Sequence, residues 1–96
     1  MSKIIELKSK DLPENCYVFK NSTVCPISFA AADEVKAANF DLHLYWINVR
    51  EQRELSNWVA ENYQVVHESP QLILIKGGKA QSSWSHAQIK VDVFQD

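Results

Sequence analysis

Two hydrophobic periods divide this chain. Cys16-Tyr17-Val18-Phe19-Lys20 is rich in aromatic and β-branched residues and reads as a short strand. A polar turn cluster, Asn21-Ser22-Thr23, follows it. Pro26 then stands where proline is tolerated, in the first turn of a helix. That helix is predicted to run through Phe29-Ala30-Ala31-Ala32 to about Ala38, with Ile27, Ala31, Val35 and Ala38 spaced as one buried face. Leu42–Val49 is apolar on both alternating faces except at His43 and Asn48, the pattern of a central strand in a parallel sheet covered on both sides. Asn48-Val49-Arg50-Glu51 has the cap-x-x-Glu spacing that opens a helix, and Leu55, Trp58, Val59 and Tyr63 fall on one face of it.

Gln71–Lys76 is a third strand, introduced by Ser69-Pro70. Gly77-Gly78 is a two-residue hairpin turn, so Lys79–Trp84 is predicted to pair antiparallel with that strand. Ser85-x-x-Gln88 repeats the capping spacing. In Ile89–Phe94, Ile89, Val91 and Val93 alternate as in a strand, while Ile89 and Val93 also suit a helix. Ile4–Leu7 offers one more strand, and Ser9–Asn15, which contains Pro13, is too short for a long helix. Parallel pairing across the helical crossovers and antiparallel pairing across the glycines give an α/β fold. Its central mixed β-sheet is flanked by helices, in the order of a thioredoxin-like domain.

Composition narrows the function. The 96 residues make one domain, 1–96, large enough for its own core. Ten Lys and Arg against 12 Asp and Glu, with signs mixed, exclude a nucleic-acid protein that works by neutralising phosphates. No run of ~18 apolar residues is available to cross a membrane. Met1–Lys10 lacks the apolar stretch of a signal peptide, so a cytoplasmic protein without a membrane partner is expected, and as a monomer. Cys16 and Cys25 are too few for a disulfide scaffold. His67 and His86 are candidates for a proton relay or a metal site, but neither has ligand spacing with a cysteine, so neither metal nor tightly bound cofactor is expected. His43 reads as a core histidine, and Trp46, Trp58 and Trp84 as packing in or around the core. Arg50-Glu51-Gln52-Arg53-Glu54 reads as a solvated helix start, with nothing local to assign it a contact with an acidic thiol.

Cys25 is the sharpest feature. It follows a strand and a polar turn and precedes the helix-opening Pro26. Unpaired N–H groups and the positive end of the helix dipole stabilise a thiolate there, lowering a cysteine pKa from roughly 8.5 into the ~3.5–7.5 range. The thiolate is the nucleophile of thiol–disulfide exchange. A thioredoxin has a second cysteine where this chain has Ser28, whose hydroxyl can bond the sulfur but cannot form a disulfide. The implied chemistry is monothiol. Cys16 is five residues down a strand from Asn21 and should lie roughly 15 Å from Cys25, beyond the ~7 Å Cα separation that a disulfide tolerates. Ser69-Pro70 stands where a thioredoxin-like fold places a cis-proline loop facing the active cysteine. There the Ser69 backbone would pair with the substrate.

Lys20-Asn21-Ser22-Thr23-Val24-Cys25-Pro26-Ile27-Ser28 resembles the active-site segment of the monothiol bacilliredoxins, the YtxJ-like family. Arg53-Glu54-Leu55-Ser56-Asn57, His67-Glu68-Ser69-Pro70-Gln71 and Trp84-Ser85-His86 with Ile89 are similar to its later segments, in the same order over about residues 16–90. Asn21 departs from the family's usual His, and Lys90 from its usual Thr. The resemblance favours a helix for the C-terminal segment. It also implies removal of bacillithiol from bacillithiolated proteins, with Cys25 as catalytic nucleophile and bacillithiol as co-substrate. Thr23, Pro26, Ser28, Ser69 and Pro70 would then bind and orient the disulfide. Two other functions compete: a non-catalytic thioredoxin-fold adaptor, and an iron–sulfur carrier like the monothiol glutaredoxins, whose Cys-Gly-Phe-Ser matches Cys-Pro-Ile-Ser poorly.

Overall fold

The computed structural model describes residues 3–24 and 26–94. Five strands, β1 (Ile4–Glu6), β2 (Cys16–Asn21), β3 (Leu44–Asn48), β4 (Gln71–Lys76) and β5 (Lys79–Ser85), form one sheet in the order β1-β3-β2-β4-β5. Helix α1 (Pro26–Ala37) joins β2 to β3, and α2 (Arg53–Asn62) joins β3 to β4. β2 is parallel to β3 and antiparallel to β4, so the crossover through α2 reverses direction where parallel pairing is expected. No helix is long and apolar enough to cross a membrane among the described residues.

β2 is the middle strand, and all six of its residues are buried because both faces are covered. Its side chains sort by the two-residue period of a strand. Tyr17 and Phe19 join Leu44, Leu72 and Leu74 under Ala31, Ala32 and Val35 of α1. Cys16 and Val18 join Ile47, Ile73 and Ile75 under Val59 of α2. Trp46 and Trp84 pack against the first cluster, and Trp58 against the second. Gly77 and Gly78 both have positive φ, 62° and 77°, the two left-handed residues that a tight hairpin with native strand twist requires.

Four further expectations are corrected. Ile27 is 50% exposed, because α1 instead turns Ser28, Ala31, Ala32 and Val35 inward. His43 precedes β3 and is exposed. Asn48 does not cap α2: its side-chain oxygen accepts from Trp46 Nε1 and Asn21 Nδ2, and the helix opens at Arg53 after Gln52. The C-terminal segment is not one helix but two short 3₁₀ helices of three residues each, His86–Gln88 and Val91–Val93. His86 sits at φ 54° and Lys90 at φ −134°, each outside the helical range, so the repeat cannot propagate. Beyond these turns Phe94 stacks on Phe40 at 4.9 Å and closes over Tyr17.

Candidate functional site

Three loops meet at one end of the sheet. Segment 22–24 leaves the end of β2, segment 49–52 leaves the end of β3, and segment 63–70 enters β4. The register sets them side by side: Lys20 pairs with Gln71, Asn21 pairs with Asn48, and Val49 N–H donates to Asn21 O at 2.9 Å. This is the end of an α/β sheet where ligands bind, beyond the carboxyl ends of parallel strands.

Cys25 itself lies outside the described residues, so its setting is defined by its chain neighbours. Pro26 opens α1, a 12-residue helix with no acidic residue in its first turn to offset the positive end of its dipole. Thr23, Val24 and Pro26 are all exposed. Ser28 is fully buried, and its Oγ accepts the Ser22 backbone N–H at 2.8 Å. That bond ties the loop to the first turn of α1 and leaves the hydroxyl proton of Ser28 for another acceptor. Val24, Ile27 and Phe29 are 60%, 50% and 54% exposed, an apolar rim around this loop.

Across the sheet end, the Ser69-Pro70 peptide is cis, as the fold reading expects. Pro70 is buried, and its carbonyl accepts the His86 N–H at 3.1 Å. Glu68 Oε1 lies 3.6 Å from His86 Nε2, so the turn after β5 is tied twice to this loop. The Ser69 Oγ and Asn21 Oδ1 atoms are buried without a hydrogen-bond partner among the described residues. A buried orphan of this kind costs about 1–3 kcal/mol, and functional sites are where such costs persist.

Lys20 was not singled out by sequence, yet it organises the cis-proline side. It is fully buried, and its Nζ donates to Ser56 O at 3.0 Å and to His67 Nδ1 at 3.1 Å. Ser56 Oγ lies 3.3 Å from the same His67 nitrogen. A lysine ammonium can only donate, so Nδ1 accepts from it and the ring proton of the neutral imidazole sits on Nε2. Burial first, and the Lys20 charge second, hold His67 below the usual histidine pKa, against the opposing pull of Glu68. His67 thus ties the Lys20 amine to the cis-proline side. His86 is likewise taken up by structure, and among the described residues no cluster of three or more His, Cys, Asp or Glu could hold a metal.

Burial pushes the Lys20 amine down to about 8. The unfolded chain keeps that amine protonated up to its ordinary value of 10.5. Between those values the unfolded state binds more protons, so the Lys20 contribution to stability rises with pH. An NMR titration of lysine side-chain resonances should show one midpoint near 8, and denaturation should show wild type gaining on Lys20→Met from pH 8 to 10. A midpoint above 10 would contradict the buried setting.

Cys16 is fully buried and free. Its Sγ lies 3.7 Å from Pro13 O, and burial raises its pKa to about 12. It starts β2, at the end of the sheet opposite the three loops. That location matches the reading of Cys16 as structural.

A family model described as monothiol bacilliredoxin BrxC matches residues 1–94. Among solved structures, a candidate oxidoreductase with a thioredoxin fold is 30% identical, with TM-score 0.80 over 93% of this chain and 88% of that one. The reduced thioredoxin pre-protein of Schistosoma mansoni is 22% identical, with TM-score 0.64 over 92% of this chain and 90% of that one. A thioredoxin of Aeropyrum pernix is 16% identical, with TM-score 0.63 over 82% and 68%. At those two lower identities the likeness concerns the fold alone, and the fold is thioredoxin-like.

Proposed function

Because the chain belongs to the monothiol bacilliredoxin family and so has a thiol-redox role, we propose that Cys25 removes bacillithiol from protein mixed disulfides. The Cys25 thiolate attacks the bacillithiol sulfur. The Cys25–bacillithiol bond forms as the protein–bacillithiol bond breaks, and the target leaves as its thiolate. A second bacillithiol thiolate then attacks the Cys25-bound sulfur. This releases the bacillithiol disulfide and regenerates the Cys25 thiolate. Each exchange conserves electrons, and reducing equivalents enter when a separate reductase recycles the small disulfide.

One observation carries this reading: Cys25 directly precedes the uncompensated N-terminus of α1, and the residue three positions on is Ser28. The helix end lowers the cost of the thiolate, and serine cannot resolve a mixed disulfide within the chain. In this scheme the spare Ser28 proton bonds the sulfur and Thr23 orients the disulfide. The Ser69 backbone and Pro70 hold the disulfide against Cys25. The exposed Val24, Ile27 and Phe29 offer an apolar surface to the protein half of the substrate.

Alkylation rate against pH separates this enzyme from a non-catalytic adaptor of the same fold. Cys16, raised to about 12, stays silent through the neutral range, so the profile belongs to Cys25. The expected midpoint is below ~7.5. A midpoint at the ordinary ~8.5 would favour the adaptor.

A further inference from the structure

Beside the cis-proline loop lies a cleft of about 320 Å³, lined by Val49, Arg50, Arg53, Ser56, Asn57 and His67. It belongs to the same end of the sheet as segment 22–24, since Val49 is bonded to Asn21, which in the sequence stands four residues before Cys25. Its lining holds two arginines and no carboxylate; the nearest acids, Glu51 beside Arg50 and Glu68 beside His67, stand outside it. Arg50 and Arg53 are exposed, and among the described residues no carboxylate lies within 4.0 Å of either guanidinium. Glu54, the nearby acid in the first turn of α2, is instead paired with Lys10 at 3.6 Å. Behind the wall, the buried Lys20 amine touches both Ser56 and His67. The first turn of α2 has no side-chain cap, because Gln52 spends its amide on Leu7 O and on the Asn48 N–H, but Glu54 in that turn offsets part of its dipole, so the arginines carry the attraction.

Two guanidiniums without a carboxylate partner, backed by a buried ammonium, call for an anion. The volume is at the low end for ligand sites, enough for one arm of a small molecule. We propose that this cleft binds the carboxylate arm of the low-molecular-weight thiol held in the mixed disulfide, with Arg50 and Arg53 selecting an anionic thiol over a neutral or cationic one. This assignment rests on the reading of Cys25 as the exchanging thiol. Arg50 and Arg53 are the binding residues, and Lys20 positions the wall behind them.

The test uses the full chain and three symmetrical disulfides, those of mercaptosuccinate (anionic), mercaptoethanol (neutral) and cysteamine (cationic). Each rate of Cys25 mixed-disulfide formation is divided by the rate of the same disulfide with free dithiothreitol. The wild type should then prefer the anionic disulfide over the neutral one on the order of tenfold. Arg50→Gln with Arg53→Gln should bring that ratio close to one. Lys76→Gln with Lys79→Gln, which removes two positive charges at the opposite end of the sheet, should leave the ratio at its wild-type value. A wild type that exchanges with all three at equal normalised rates overturns the cleft assignment and leaves the exchange reading standing. A ratio lowered equally by both double variants overturns it too, because net charge alone would then explain the preference. Absence of exchange with any disulfide would bring down the exchange reading itself, and the cleft assignment with it.

Discussion

Cys25→Ser is expected to abolish removal of bacillithiol from a bacillithiolated test protein, by about a thousandfold or more, to the uncatalysed background. A serine hydroxyl is not ionised near neutral pH and cannot form the mixed disulfide, whereas a thiolate at a helix start is both nucleophile and leaving group. Cys16→Ser is expected to keep most of the activity. Its sulfur is buried at the far end of β2 with a pKa raised to about 12, so it supplies no thiolate. The replacement hydroxyl can donate to Pro13 O, the atom that Cys16 Sγ already faces. The check is free thiol recovered on the test protein per unit time, with circular dichroism to confirm that both variants fold. A folded Cys16→Ser protein as inactive as Cys25→Ser would replace the monothiol scheme with a two-cysteine cycle.

The largest stability effect is expected at Phe19. It is fully buried in β2, packs edge-on against Trp46 with ring centroids 4.8 Å apart, and belongs to the cluster under α1. Phe19→Ala removes that ring from a close-packed interior and should cost ~3–5 kcal/mol. A domain of this size holds on the order of 5–15 kcal/mol in total, so much of the fold's stability goes with one side chain. Phe19→Leu, which keeps most of the volume, should cost about 1.5 kcal/mol or less. Urea denaturation measures both, and a loss under ~1 kcal/mol for Phe19→Ala would contradict the described packing.

Local signals proved legible where they are self-contained. Gly77-Gly78 marks its own turn, and β4 and β5 follow from it. The Cys25–Pro26 junction marks the start of α1 without reference to anything distant. Signals that depend on the sheet were misread. Spacing alone fits Ile27, Ala31 and Val35 as well as Ser28, Ala31 and Val35, and docking of α1 on β2 decides between them. Asn48 has the right spacing to cap α2, but its side chain is committed to Trp46 and Asn21 across the sheet end. Lys20 is the clearest case. A lysine ending an apolar strand looks like a strand leaving the core, and its burial depends on Ser56 and His67, 36 and 47 residues further on. One clue was available: positions 16, 18 and 20 share a face, and that face is the one buried under α2. The arginine-lined cleft was hidden for the same reason, since Arg50 and Arg53 meet His67 only through the fold.

The central claim is that Cys25 works alone and carries the small thiol as an intermediate. Intact-mass spectrometry of the protein, quenched by acid during turnover of a bacillithiolated substrate, tests it most directly. The account predicts one bacillithiol per chain, mapped by peptide digestion to Cys25, with Cys16 recovered as a free thiol. Protein recovered with a Cys16–Cys25 disulfide and no bacillithiol adduct would contradict it.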